Sequence, residues 1–77
     1  MRYAIVIEKA EHNYCAYVPD LPGCIATGAT IEQLKIEIRE AIELHIEGMR
    51  EDGIRILAPT SEVGYVDIGA DALDLAE

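Results

Sequence analysis

The chain has 77 residues with six basic and fifteen acidic side chains, a formal charge of −9 at pH 7, so phosphates would repel it and direct nucleic-acid binding is disfavoured. Hydrophobic residues make up 51%, too many for a disordered protein, but with four tyrosines and no Phe or Trp the small core is aliphatic, and pairing into a homodimer or tetramer is expected. The apolar run in MRYAIVIEKA is too short for a signal peptide and no later segment could span a bilayer, so the chain is read as cytoplasmic, with no membrane contact and with Cys15 and Cys24 reduced.

Tyr3, Ile5 and Ile7 alternate with Ala4, Val6 and Glu8, which predicts a first strand. KAEHN breaks the pattern and Tyr14 to Val18 resumes it, giving a hairpin with a polar turn around Glu11 to Asn13. In VPDLPGC, each proline pushes its predecessor to extended backbone, and Pro22-Gly23 suits the centre of a type II turn. A third strand is expected over Cys24 to Thr27, ended by Gly28. Thr30 followed by Gln33 is a capping box, in which each side chain satisfies the other residue's amide. The helix that begins there carries Ile31, Leu34, Ile38, Ala41, Ile42, His45, Ile46 and Met49 on one side, and Asp52-Gly53 closes it. After Pro59, Val63 to Ile68 alternates again and is read as a last strand, returning alongside the first and parallel to it. The expected architecture is α+β, in the order β-β-β-α-β, a mostly antiparallel sheet with one long helix on one face. Residues 1–68 form the domain and residues 69–77 an acidic C-terminal tail.

Chemistry is sparse. His12, Cys15, Cys24 and His45 are zinc-ligand types without the paired spacing of a zinc site, and neither cysteine has an evident base, so no metal, cofactor or catalytic residue is assigned. The first strand's centre, AIVI, lacks the acids with which metal-dependent nucleases hold their ions. One cluster stands out. Glu40, Glu43, Glu47 and Glu51 recur at spacings of three and four on the helix side opposite the apolar stripe, with Ile36 and Leu44 beside them. Like charges at such spacings destabilise a helix by a few tenths of a kcal/mol per pair. The face is either an ordinary solvated surface or an acidic docking ridge with apolar anchors for a basic partner or a second copy. Asp20 and Leu21, held in a stiff loop, complete the candidate contact residues.

The string YCAYVPDLPGCIATGATIEQLKIEIREAIELHIEGMREDG followed by ILAP closely resembles the HicB-like antitoxins, with the pattern fitting from Tyr3 to Ile68. P-D-L-P-G-C after a tyrosine-bearing strand, G-x-T opening the helix, and E-A-I then E-D-G toward its end carry the likeness. EQLKIEI departs from the more usual E-E-A-L pattern. The resemblance implies a partial RNase H-like fold without nuclease chemistry. It also implies a partner, a small basic HicA-like RNase with a catalytic histidine, neutralised by covering its RNA-facing surface. Relatives of this kind usually continue into a DNA-binding segment, whereas this chain ends at Glu77 after acidic residues, so autonomous promoter binding is not expected. The expected function is that of a non-enzymatic antitoxin of a type II toxin–antitoxin system. The alternatives are a self-associating or small-ligand module without a toxin and, further off, a residual metal-dependent nuclease.

Overall fold

The computed structural model describes residues 1–69; residues 70–77 of the tail expected over 69–77 lie outside the described residues. Strands β1 (Val6–Lys9), β2 (Tyr14–Tyr17) and β3 (Ile25–Gly28) form an antiparallel sheet in sequence order, followed by helix α1 (Ile31–Glu51). The helix lies over β3 and, to a lesser extent, β2. The α+β architecture expected from the sequence is therefore present, with shorter strands than the alternation suggested. β1 begins at Val6, although Tyr3 and Ile5 ahead of it still pack against the core.

The register explains which residues become core. Ile7 pairs with Ala16 and Ala16 with Ala26, so these share the face toward the helix, as Tyr14 and Val18 do by alternation. Ala16, Val18, Leu21, Cys24, Leu34 and Ile38 are buried, with Tyr3, Ile5, Ala41, Ile42, Ile46 and Met49 packed around them. Leu34 is fully buried, which contributes about 2 kcal/mol relative to an exposed leucine. Ile31, assigned by periodicity to the same stripe, is 41% exposed, because it occupies the first helical position, at the end of the covered surface.

The doubled prolines build two consecutive turns. Val18 O accepts from Leu21 N at 3.0 Å around Pro19, and Leu21 O accepts from Cys24 N at 3.0 Å around Pro22-Gly23. Gly23 has φ +85°, as the third position of a type II turn requires. Val18 N donates to Cys24 O at 3.2 Å and closes the loop. Leu21 is 3% exposed and points into the core, so the loop's rigidity fixes an internal anchor and that side chain offers no surface to a partner.

Both helix ends are satisfied. Thr30 accepts from Gln33 N at 3.1 Å, but the Gln33 side chain donates to Glu37 Oε1 at 3.1 Å instead of reaching back, so half of the expected capping box forms. At the C-terminus Gly53 has φ +70°, with Gly53 N donating to Arg50 O and Ile54 N to Met49 O, a Schellman closure.

The strand expected over Val63–Ile68 does not form, and the sheet ends at β1. Residues 61–65 run beside residues 2–7 with clefts of about 530 and 440 Å³ between them. No backbone hydrogen bond crosses from this segment to β1 among the described residues, and Val63, Tyr65, Val66 and Ile68 are 62, 92, 85 and 57% exposed. Alternation marks a segment that fits a pleated surface, but a strand also needs an edge at hydrogen-bonding distance.

Candidate functional site

The helix turns its charged side away from the sheet. At 100° per residue, Ile36, Glu40, Glu43, Leu44, Glu47 and Glu51 fall within an arc of roughly 100°, centred opposite Leu34 and Ile38, and they run about 22 Å along the axis. All six are exposed; Ile36 retains 55% and Leu44 70% of its accessible surface. Among the described residues the one contact within 4.0 Å between a carboxylate and a basic side chain joins His12 Nε2 to Glu11 Oε1 at 3.3 Å, so no ridge carboxylate is paired, including those next to Arg39 and Arg50. The ridge keeps its mutual repulsion, and its two large aliphatic side chains sit about 12 Å apart, two turns along the same face.

Asp20 stands elsewhere. Its carboxylate bridges to a segment forty residues away: Ser61 N donates to Oδ2 at 3.0 Å, Ser61 Oγ to Oδ1 at 3.1 Å and Thr60 Oγ1 to Oδ1 at 3.3 Å. The Ser61 amide foremost holds the carboxyl below its ordinary value of 3.8; burial is the next effect and opposes it, and the Ser61 hydroxyl, the Thr60 amide and the Thr60 hydroxyl lower it further. Asp20 is thus the clip that ties the chain after the helix to the proline loop. Because its folded pKa is depressed, the clip's contribution is complete above the unfolded value and is lost as pH falls through the lower folded one. Asp20→Asn at neutral pH should speed limited proteolysis within residues 54–69, and wild-type protein should approach the variant's cleavage rate as pH falls below the ordinary carboxylate range when an acid-active protease is used.

The thiols differ in setting. Burial pushes the Cys24 thiol above its ordinary value, which suits a core filler, and Cys15 Sγ lies 4.0 Å from Glu8 Oε1 on the opposite face of the sheet. No group of three His, Cys, Asp or Glu residues that could hold a metal ion occurs among the described residues. None of the helices there is long and apolar enough to cross a membrane.

One surface escaped the sequence reading. Val6, Tyr17 and Ile25 form a cross-strand row on the sheet face away from the helix, followed by Glu8, Cys15 and Thr27. Tyr17 is 42% and Ile25 68% exposed. Each is an unremarkable apolar residue in a strand, and only the register aligns them.

The family described as the HicB-like antitoxin of bacterial toxin–antitoxin systems matches residues 3–69. The chain belongs to that family. This HicB-like chain is also similar to an uncharacterised 14.9 kDa protein of Haemophilus phage HP1, with 48% identity over 52 residues, 68% of this chain and 39% of that protein. It thus spans well under half the length of the phage relative. A UPF0150 protein of Archaeoglobus fulgidus is 45% identical over 56 residues, covering 69% of this chain and 81% of that one. Among solved structures, a chain of a HicA3 and HicB3 toxin-antitoxin complex superposes with a TM-score of 0.68 at 30% identity, over 78% of this HicB-like chain and 70% of its own length.

Proposed function

We propose that this chain neutralises a small basic HicA-like RNase by laying its acidic helical ridge over the toxin's RNA-facing surface. The observation that carries the reading is the unpaired row Glu40, Glu43, Glu47 and Glu51 with Ile36 and Leu44 exposed among them. Family membership and the likeness to a chain from a HicA3 and HicB3 complex support the partner's class.

The mechanism needs no bond made or broken. A field from nine surplus negative charges accelerates encounter with a cationic surface, and the ridge's carboxylates then stand where RNA phosphates would be held. Ile36 and Leu44 add apolar anchors that exclude water around the charge pairs, and carboxylates that repel one another in the free chain gain partners. The same acid surplus works against this chain binding RNA or DNA itself.

The purified chain should suppress cleavage by a small basic HicA-like RNase, with full suppression near one site per toxin. Raising salt from about 0.1 to 0.5 M should weaken inhibition at least tenfold, because screening shortens the reach of the ridge's charge. Unchanged cleavage under a tenfold excess of this chain at low salt would refute the reading.

A further inference from the structure

We propose that residues 70–77 dock along the groove between helix α1 and the segment ahead of β1, with their carboxylates on Lys35 and Arg39 and their leucines on the groove floor. The groove exists because the helix packs on β3 and β2 and does not reach β1. About 450 Å³ is left open there, with Tyr3 and Ile5 on one side and Ile38, Ile42 and Ile46 on the other. All but Ile38 stay half-buried, so apolar surface next to the core is left without a cover. Lys35 and Arg39 also line the groove and are exposed, as is Glu43.

Charge selects the occupant. The chain has six basic residues against fifteen acids, yet among the described residues neither Lys35 nor Arg39 has a carboxylate within 4.0 Å. They stand one turn apart on the same side of the helix, about 6 Å along its axis. An apolar groove with two neighbouring cations fits a segment that intersperses acids with aliphatic side chains. Residues 70–77, ADALDLAE, have that composition: Asp71, Asp74 and Glu77 recur at intervals of three, Leu73 and Leu75 lie among them, and there is no base. Glu43 repels such a segment, which favours seating its acids on the Lys35 side. A basic partner would meet the two cations, and a nucleic acid would meet the apolar floor and nine surplus negative charges, so neither suits the groove.

The chain also comes near enough. Ser61 to Val63 line the cleft of about 530 Å³ on which Tyr3 and Ile5 also border, so the groove and the returning chain share those two residues. Eight residues reach at most about 29 Å, against roughly 16 Å of helix axis from Lys35 to Ile46. Docking would cover the half-buried isoleucines and neutralise both cations of the helix's first half, leaving a basic toxin to meet a more uniformly acidic helix. The proposal concerns the free chain and does not rest on that consequence.

Methyl-labelled NMR of the full chain tests this. The expected result is nuclear Overhauser contacts from the Leu73 and Leu75 methyls to those of Ile38, Ile42 or Ile46, with amide exchange of residues 72–76 at least fivefold slower than in Lys35→Glu with Arg39→Glu. In that variant the contacts should vanish, and adding Asp71→Lys with Asp74→Lys should restore them. Lys35 and Arg39 are both exposed, so the reversals leave the packed core in place. Absence of the contacts in folded wild type, or contacts that survive the first reversal unchanged, would overturn the proposal. Contacts seen only between differently labelled chains would seat the segment on a neighbour and overturn it as well. So would groove methyls that shift with added decanoate in a chain lacking the leucine contacts, since the groove would then take a free amphiphilic carboxylate instead. Because no toxin is present, each outcome is separable from the function proposed above.

Discussion

Reversing Glu43 and Glu47 to lysine should weaken inhibition of the basic RNase by at least a hundredfold, about 2.7 kcal/mol in binding free energy. Both side chains are exposed on the helix face turned away from the core, so the substitutions remove two favourable charge contacts, create two repulsive ones and leave the packed stripe untouched. The free variant should be about as stable as wild type: the repulsion with Glu40, three residues from position 43, and Glu51, four from position 47, becomes attraction, while the lysines at positions 43 and 47 repel each other as the glutamates did and now face Arg39 and Arg50 at helical spacing. A control with the same total charge change, Glu11→Lys with Glu62→Lys, alters exposed acids away from the helix and should cost no more than roughly threefold through the long-range field. Inhibition titrations at 0.1 M salt with all three proteins separate local contact from overall charge. Equal losses in variant and control would mean that the ridge is not the contact surface.

Gly28→Ala should cost more stability than any other single-methyl addition at a glycine of the described chain. A Cβ at position 28 would lie 2.7 Å from Leu34 N and 2.8 Å from Leu34 Cα, and both atoms belong to helix backbone that cannot rotate away. Gly48 and Gly64, by contrast, have open space around the corresponding position. The close approach exists because the last residue of β3 faces the first turn of α1, which Thr30 anchors only two residues later. To accept the methyl, the helix must lift from the sheet at the point where Leu34 is fully buried, which opens a gap beneath it. A loss of about 2 to 4 kcal/mol is expected, a large share of the stability of a domain this size. Urea unfolding checks it, with Gly48→Ala as the reference expected to be neutral or stabilising, since alanine favours a helix interior. A midpoint for Gly28→Ala within 0.3 M of wild type would show that helix and sheet adjust freely.

The helix was the most legible element because its signals are local. Thr30, the apolar spacing from Leu34 to Met49 and Gly53 each act within one or two turns, and all appear where periodicity and capping put them. The type II turn at Pro22-Gly23 was readable for the same reason. The acidic ridge follows directly from the helix, since four residues at fixed spacings share a face once the backbone is helical.

What the sequence determined by itself is thus the helix, the turns, the hairpin and the one-sided distribution of charge, all consequences of contacts between near neighbours in the chain. Tertiary structure decided the rest. It turned Leu21 into core, sent Asp20 across forty residues to Thr60 and Ser61, left Val63–Ile68 unpaired despite its alternation, and aligned half-buried Val6 with exposed Tyr17 and Ile25 in one row on the outer sheet face. Each of these depends on which distant backbone or side chain comes within about 3 to 4 Å, a distance that propensity and spacing do not encode.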